Sequence, residues 1–446
     1  MTRSFMGRYA DIIIFLALVA FFFAGPADVR AQHDYIRISD PFLRKIPIAV
    51  PRFAALDPGQ ADSPIAGEAT ALLSETIDFT GYFRILDRKS YLQDPQKQEL
   101  AEDTINFRNW TTIGAELLIT GGYRVEGKVL TMELRLLDTF KEKLLIGKRY
   151  QGGLDDQRRI IRRFCGDLFF HLTGTRGIFD SKIAFVSNGS GNKEIYTCDF
   201  DGHNIRRITY SDNITMSPAW SSDGKWLAYV SYLKGKPDIY IKHMKEKHGT
   251  VISKKGLNIA PVWVPDEFAL SATLSFSGDP EIYLLTGTGK IIKRLTKSWG
   301  IDVSPTWSPD GKKMAFVSNR SGSPQIYMMT VDTGQVERLT FEGGYNTSPS
   351  WSPRGDRIAY SGAANGQTNI YTITTDGRQL IQLTQNAGSN ESPCWSPDGS
   401  LIAFSSTREG EAKLYVMTIY GTDQRRLLTM PGAQTDPAWS PRILND

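Results

Sequence analysis

Side chains that could catalyse a reaction or bind a metal are sparse in this sequence. Its 446 residues include five histidines and three cysteines, Cys165, Cys198 and Cys394. An odd cysteine count without metal-ligand spacing argues against a disulfide framework, so we expect three small buried thiols. The chain contains no Gly-x-Ser-x-Gly elbow, no Walker loop and no His-Glu-x-x-His motif. The sequence therefore predicts no catalytic residue, no enzyme and no cofactor.

Two histidines are the best candidates for metal ligands. His243 and His248 lie in the basic segment 242–248, which reads Lys-His-Met-Lys-Glu-Lys-His. They could bind a metal ion only if a third ligand came from elsewhere in the fold. We expect a solvated basic hairpin here and no metal site.

A set of polar residues recurs at a fixed distance from a repeated tryptophan. Each lies five residues before a tryptophan, and the set is Thr215, Asn258, Asp302, Asn346, Asn390 and Gln434. Core packing alone would not require six polar side chains at one repeat position. They could contact a partner or cap a loop, and the sequence leaves both roles open. Trp299 and Tyr345 lie in the same connecting segments, where exposed aromatic side chains would favour a partner-binding surface.

The tryptophans belong to a six-fold repeat. Copies of the segment 304–311, Ser-Pro-Thr-Trp-Ser-Pro-Asp-Gly, place them at 220, 263, 307, 351, 395 and 439, at intervals of 43 residues once and 44 residues four times. A period of about 40 to 45 residues with strand-like content is typical of one propeller blade per repeat. Each repeat holds four short apolar runs bounded by turn residues, as strands require. We expect the tryptophans to pack between blades.

The repeat is out of phase with the rest of the chain. Strand-like runs begin at Lys182, before any tryptophan, and Trp439 is the last of the six. Pairing the segment of Trp439 with residues 182–209 completes one blade and closes a ring, which leaves only short, protected sheet edges. The prediction is an all-β six-bladed β-propeller over residues 176–446, closed by the C-terminal strand. The six polar residues, Trp299 and Tyr345 would then lie at one mouth of its central channel.

The first part of the chain has a different pattern. The apolar run from Ile12 to Ala24 follows basic residues and precedes Val-Arg-Ala at 29–31, so residues 1–31 are predicted to be a signal peptide. An uncleaved anchor is the alternative, although the run is shorter than the roughly 20 residues that span a bilayer. Residues 32–175 mix strand and helix patterns and predict a smaller α/β domain.

A predicted helix at residues 155–172 carries the most basic cluster of the chain, four arginines at 158, 159, 162 and 163. Acidic residues flank them, so we expect a solvated helix face. The net charge of +4 is modest and gives no argument for nucleic-acid binding.

This combination resembles the TolB family, the periplasmic component of the Tol-Pal envelope system. The resemblance rests on the Pro-x-Trp-Ser-Pro-Asp-Gly repeat, on its Ile-Ala-Phe, Ile-Tyr and Arg-Leu-Thr segments, and on residues 35–53 with Ile-Pro-Ile-Ala-Val-Pro at 46–51. One copy departs from the pattern, because Trp263 is followed by Val-Pro-Asp-Glu.

The resemblance implies a non-enzymatic periplasmic scaffold. The family binds Pal, the peptidoglycan-associated lipoprotein, through the propeller mouth, and its N-terminal extension communicates with the inner-membrane protein TolA. Residues 34–41, with Asp34, Tyr35, Ile36 and Ile38, would be a switch segment whose exposure competes with Pal binding. The implied role is outer-membrane integrity and constriction at division. Other envelope proteins would be further partners, and membrane contact would occur only through partners.

One alternative of a different class remains open. Propeller domains of prolyl-peptidase-like proteins use the same repeat, so the chain could be an exported glycan- or peptide-binding propeller, including a peptidase-like relic.

Overall fold

A computed structural model describes residues 44–61, 63–92, 104–364 and 366–443. The predicted signal peptide and the switch residues Asp34, Tyr35, Ile36 and Ile38 lie outside the described residues, and the predicted domain boundaries stay predictions. Within the described ranges, no helix has the length and hydropathy needed to cross a membrane.

The N-terminal part forms one mixed sheet with helices. Its elements are β1 (Ile46–Ala49), β2 (Ala54–Ala55), α1 (Ile65–Asp78), β3 (Phe83–Ile85), α2 (Phe107–Thr112), β4 (Leu117–Glu126), β5 (Val129–Asp138), β6 (Lys143–Gly153) and α3 (Gln157–Thr173), with 3-10 turns at Pro58–Gln60, Arg88–Ser90 and Leu154–Asp156. The strand order is β3-β1-β4-β5-β6, and β2 pairs with β4. A hairpin with Gly127 and Lys128 as its two turn residues joins β4 to β5.

Strand β1 contains a proline, a residue usually confined to edge strands or to the ends of strands. It nevertheless lies inside the sheet and runs parallel to both β3 and β4. Pro47 is tolerated because it is the second residue of the strand, and pairing with β4 begins only at Ile48. Its carbonyl still accepts the Glu116 N–H at 2.9 Å. A proline can therefore occupy an interior strand where it costs no ladder hydrogen bond.

Six four-stranded antiparallel sheets follow, as the repeat predicts. Blade 1 comprises β7 (Lys182–Ser187), β8 (Glu194–Asp199), β9 (Arg206–Arg207) and β30 (Gln434–Trp439). Blade 2 comprises β10 (Thr215–Trp220), β11 (Trp226–Ser231), β12 (Asp238–His243) and β13 (Gly249–Ile252). Blade 3 comprises β14 (Asn258–Trp263), β15 (Ala269–Leu274), β16 (Glu281–Thr286) and β17 (Ile291–Arg294). Blade 4 comprises β18 (Asp302–Trp307), β19 (Lys313–Ser318), β20 (Gln325–Thr330) and β21 (Gln335–Arg338). Blade 5 comprises β22 (Tyr345–Trp351), β23 (Arg357–Ala364), β24 (Gln367–Thr374) and β25 (Leu380–Gln382). Blade 6 comprises β26 (Asn390–Trp395), β27 (Leu401–Ser406), β28 (Lys413–Thr418) and β29 (Arg425–Arg426).

Blade 1 is built from two distant parts of the chain. Its innermost strand, β30, pairs antiparallel with β7, with Gln434 opposite Ser187 and Trp439 opposite Ile183. The Trp439 indole N–H donates to the Ser181 hydroxyl at 2.8 Å. These contacts join residues about 250 positions apart in the chain. The ring is complete only when these distant segments have paired.

The repeated tryptophans lie between blades, which confirms the prediction made for them. All six are buried, at 5 to 8% exposure. The indole N–H of Trp220 donates to Ala438 O at 3.1 Å, and that of Trp263 donates to Ala219 O at 3.1 Å. Each of these bonds reaches back to the innermost strand of the preceding blade. These two tryptophans therefore join neighbouring sheets through apolar contact and through a directed hydrogen bond.

Candidate functional site

The two ends of the central channel differ in what surrounds them. Every innermost strand begins at the same end, which we call the upper mouth. In an antiparallel blade, this end also holds the loops between the second and third strands and the loops that lead to the next blade. The N-terminal sheet and helices contact the opposite end, for example where Phe79 packs edge-on against Phe200 at 5.4 Å. The described N-terminal residues thus contact the end of the propeller opposite the upper mouth.

The six polar residues predicted at the mouth lie at or next to the start of the innermost strands, and each is at most 2% exposed. Side-chain hydrogen bonds of four of them run to the preceding blade, namely those of Thr215, Asn258, Asn346 and Asn390. Asp302 instead accepts from Ser298 and Arg320, and Gln434 donates to carbonyl groups of its own loop. Asn346 Nδ2 donates to Gln325 Oε1 at 2.8 Å, and the Thr215 hydroxyl donates to Lys193 O at 2.9 Å. The sequence left open whether these residues contact a partner or cap a loop. Buried hydrogen bonds of this kind favour the second role, the support of loops and of contacts between blades. Direct contact with a partner stays a prediction.

The two predicted aromatic residues are exposed at the same end. Trp299 is 94% exposed and Tyr345 is 53% exposed, and Tyr210 and Phe341 are each 73% exposed in corresponding loops. We call these four residues the aromatic rim. Arginine side chains support two of the rings, because Arg207 lies 4.6 Å over Tyr210 and Arg338 lies 5.0 Å over Phe341. Exposed rings in the loops at one end of a propeller are typical of a surface that binds another molecule.

The channel itself carries a backbone feature that the sequence reading missed. In each innermost strand one residue has a left-handed backbone, with φ between 49° and 54°, and the six are Ser217, Ala260, Ser304, Ser348, Ser392 and Asp436. The strand register shifts at this point in every blade. Such bulges with strained φ values are often found at functional sites. The signal in the sequence is a proline that always follows the strained residue, two positions before the tryptophan. These residues line a channel of about 320 Å³.

Asp436 is the one carboxylate among the six strained positions. Its Oδ1 accepts a hydrogen bond from the Ser392 hydroxyl at 3.3 Å. Burial in the channel raises the pKa of the Asp436 carboxyl, and the Ser392 hydroxyl, the Lys193 charge and the Ser217 N–H only partly offset that rise. The folded protein therefore holds this proton more tightly than the unfolded chain does.

The arginines of α3 correct another expectation. The sequence predicts a solvated face, yet Arg162 and Arg158 contact acids of blade 1. Arg162 donates to Asp199 Oδ2 at 2.8 Å and to Asp201 Oδ1 at 3.1 Å, and Arg158 also pairs with Asp201. Burial would raise the pKa of Asp199, but the charges of Arg162 and Lys182 and the Asn204 amide lower it below its usual value. This face of α3 is thus a charged contact with the propeller.

The candidate metal ligands meet in the turn that follows β12. Ligand atoms of His243, Glu246 and His248 lie within 4.8 Å of one another, so the third group comes from the same segment and not from elsewhere. His243 Nδ1 already accepts the Glu246 N–H at 2.9 Å, and its ring is buried, which differs from the solvated hairpin predicted. The two imidazole rings stack at 5.1 Å, and Trp226 packs edge-on against both. The prediction of a metal-free hairpin stays untested.

Comparisons with known proteins agree with this architecture. The family model described as the TolB beta propeller domain matches residues 169–443, and the TolB amino-terminal domain model matches residues 34–145. The Tol-Pal system protein TolB of Desulfosudis oleivorans is 56% identical over 285 residues, which is 64% of this chain and 65% of that protein. A TolB homolog of Chlorobaculum tepidum is 41% identical over 300 residues, 67% of each chain. The chain therefore covers just under two thirds of the first relative's length.

A solved structure extends the likeness to most of the chain. TolB from Acinetobacter baumannii superposes with a TM-score of 0.78 at 27% identity, over 90% of this chain and 97% of that one. The propeller model covers more than half of the chain, and the amino-terminal model covers much of the part before it. The sequence repeat of this chain closes into a propeller, as the first model describes. The chain belongs to the TolB family.

Proposed function

We propose that this protein is a periplasmic, non-enzymatic scaffold of the Tol-Pal system. In this proposal the upper mouth binds Pal, and residues 34–41 communicate with TolA. The outcome would be maintenance of the outer membrane and its constriction at division. The relatives named as Tol-Pal system proteins support the assignment to this system. Membership of an envelope system makes other envelope proteins the expected partners.

The observation that carries the binding surface is the aromatic rim. Trp299 is 94% exposed, so the free protein leaves a large apolar ring in contact with water. A docked partner would bury this surface, which is favourable. Large rigid aromatic side chains also supply much of the binding energy at protein interfaces. The N-terminal helices and sheet contact the other end of the propeller, so the rim is free of the described N-terminal contacts.

Capture of the periplasmic domain of Pal tests the mouth. We expect the double variant Trp299→Ala with Tyr345→Ala to bind about tenfold more weakly or worse, as loss of interface anchors does, with unchanged thermal stability. Phe140→Ala is the matched control, because Phe140 is also exposed but lies between β5 and β6. Equal affinity of the double variant and the control would remove the upper mouth from the proposal. The six buried polar residues are less suitable targets, since substituting them would disturb the contacts between blades.

A second measurement addresses the switch segment. Deleting residues 34–41 should abolish recovery of TolA and leave capture of Pal intact or stronger, because the segment competes with Pal in this proposal. Unchanged recovery of both partners would contradict the switch. Saturable glycan binding or peptide hydrolysis in place of Pal capture would favour the alternative class of function.

A further inference from the structure

Paired aromatic rings link the second and third strands in five blades. The pairs are Phe185–Tyr196, Tyr229–Tyr240, Phe316–Tyr327, Tyr360–Tyr371 and Phe404–Tyr415, with ring centroids 5.6 to 6.2 Å apart. The rings are directly opposite each other in the strand register. Each pair lies near the upper end of its blade. The side chain that covers the pair therefore forms part of the surface around the upper mouth.

In blades 4 and 6 an arginine covers the pair. The Arg320 guanidinium lies 5.4 and 4.9 Å from the two ring centroids of blade 4, and that of Arg408 lies 5.5 and 4.3 Å from those of blade 6. Each also donates to the first residue of its innermost strand, Arg320 to Asp302 at 2.9 Å and Arg408 to Asn390 at 3.1 Å. A cation over a ring face and a polar acceptor beside it thus form one repeated binding arrangement.

Blade 5, between these two, has the arrangement without its cation. Arg320 and Arg408 each follow the first ring of their pair by four residues, and at that position blade 5 has Ala364. The serines that accept the arginine Nε at 2.9 Å in blades 4 and 6 are replaced by Gly362. A Cβ there would lie 2.8 Å from Asn346 Oδ1 and 2.9 Å from the Tyr371 ring. Two small residues therefore stand where blades 4 and 6 place a bulky cation and the serine that supports it.

The missing side chains leave a cavity of about 120 Å³, which we call the blade 5 slot. It is lined by Glu342, Asn346, Tyr360, Gly362, Ala364 and Tyr371, together with Gly343, Ala363 and Leu380. Its volume exceeds the roughly 30 Å³ share of one water molecule. The slot thus retains the two tyrosines and the amide of Asn346, which corresponds to the acceptor Asn390 in blade 6.

The slot is suited to a positive charge. Glu342 lines the slot. Burial raises the pKa of Tyr360 and of Tyr371, and the nearby negative charge of Glu342 raises both further. Ring faces and a carboxylate both attract cations. Two members of the aromatic rim flank Glu342, because Phe341 precedes it in the loop and Tyr345 begins β22 three residues after it. A partner bound at the upper mouth would therefore lie over the slot.

We propose that the blade 5 slot accepts an arginine side chain of a protein that docks at the upper mouth. The partner would supply the guanidinium that blades 4 and 6 supply from their own chains. This inference rests on the proposed function, because it assumes that the partner is a protein bound at this mouth. Beyond the proposed function, the inference specifies which group the partner must present, namely a planar cationic group positioned over blade 5.

A small probe tests the slot in the full-length chain. N-acetyl-arginine amide should shift the backbone amide resonances of Gly362 and Ala363 saturably, and the isosteric neutral citrulline analogue should bind about tenfold more weakly. Glu342→Gln should weaken the arginine probe and leave the citrulline analogue unchanged. Equal shifts with both probes would overturn the inference, since shape and not charge would then explain binding.

Filling the slot from within the chain gives the matched test. Ala364→Arg should restore the arrangement of blades 4 and 6 and abolish probe binding, and Ala364→Met should block it without adding charge. Ala364 is exposed, so we expect both variants to fold. Gln385→Arg adds the same charge in an exposed loop of the upper mouth and should leave probe binding intact. Undiminished probe binding to Ala364→Arg would refute the slot.

Partner capture separates this inference from the proposed function. Ala364→Arg should reduce capture of the Pal domain about tenfold, whereas Gln385→Arg should not. If Ala364→Arg captures Pal normally and the rim variants do not, the slot is wrong and the binding surface stands. If the rim variants capture Pal normally while the arginine probe still binds at Gly362, the binding surface is wrong and the slot stands as a guanidinium site.

Discussion

At the scale of single residues, the exposure of a side chain separates binding from structural roles that look alike in the sequence. Asn346 and Tyr345 are adjacent in the chain, yet Asn346 is buried against the preceding blade and Tyr345 is half exposed. Strand alternation places neighbours on opposite faces. A polar residue at the start of an innermost strand thus supports the loop on which its aromatic neighbour is presented.

Asp436 should limit the stability of the protein at neutral pH. Its folded pKa is raised, so stability falls as pH rises from the unfolded pKa through the folded one, because the folded state binds more protons in that window. We expect Asp436→Asn to stabilise the protein by about 1 kcal/mol at pH 7 and to flatten this dependence. Urea unfolding at several pH values measures both. A variant that is less stable at every pH would show that the charged carboxylate is favourable in the channel.

The tryptophan indoles allow a matched comparison of hydrogen bonds. Trp307 Nε1 donates to the buried Ser271 hydroxyl at 2.9 Å, whereas Trp351 Nε1 makes only a 3.4 Å contact with Gly355 O in its own turn. Both rings are equally buried. Trp307→Phe should therefore cost about 1 kcal/mol more than Trp351→Phe. Thermal unfolding of the two variants checks this, and equal losses would mean that only ring packing matters.

At the scale of elements, helix α3 joins the N-terminal sheet to the propeller. Its apolar side, including Phe164 and Leu168, lies in the core, and Arg158 and Arg162 reach Asp199 and Asp201 in blade 1. The side chains of Arg162 and Asp199 are 14% and 5% exposed. Partial burial makes such a pair more sensitive to loss of one partner than a surface pair is.

Removing Arg162 should weaken this contact. Arg162→Met should destabilise the protein by about 2 kcal/mol, while Arg159→Met, which breaks only an exposed pair with Asp156, should cost less than about 0.5 kcal/mol. Because the folded pKa of Asp199 is lowered from 3.8, its stabilisation is present above that pH and is lost as pH falls through the folded pKa. Acid unfolding of Arg162→Met should therefore begin from a lower stability and show a shallower slope below about pH 4. Equal losses for the two variants would exclude a special role for this contact.

At the scale of the whole molecule, the ring is closed by a single strand. β30 supplies the innermost strand of blade 1 and places Trp439 against Ser181. The backbone N–H of Trp439 also donates to Cys394 Sγ in blade 6 at 3.0 Å. Strand β30 therefore contacts both blade 1 and blade 6. Closure joins the first and last blades and leaves no open sheet between them.

Shortening the chain tests closure. Ending it after Ala433 removes β30, exposes the edge of β7 and should lower Tm by about 10 °C or abolish cooperative unfolding, because an unpaired edge and an open core interface remain. Ending it after Ser440 keeps β30 and, among the described residues, removes the contacts of residues 441–443, such as those of Arg442 and Ile443 with Asp180, so its Tm should fall much less. Calorimetry measures both. Equal melting of the two shortened chains would refute closure as a source of stability.

The sequence by itself determined the repeated local structure. The 44-residue tryptophan interval, the turns after each tryptophan and the four strand-like runs predict six blades, because each hairpin is specified by neighbouring residues. The hairpin between β4 and β5 has the same local origin, because a glycine stands at its turn. The family resemblance rested on these repeated segments and on residues 35–53.

Tertiary structure alone decided which distant side chains meet. Three features depend on how separate segments of the chain pack, and local sequence patterns do not predict such packing. They are the interior position of β1, the pairing of Arg162 with Asp199 and the burial of the six polar residues. The blade 5 slot has the same origin: Ala364 and Gly362 are unremarkable in the sequence, and they form a cavity only because strand pairing stacks Tyr360 on Tyr371 beside them. Local hydrogen bonding and side-chain alternation act between neighbours in the chain, whereas sites arise where closure of the ring brings remote residues together.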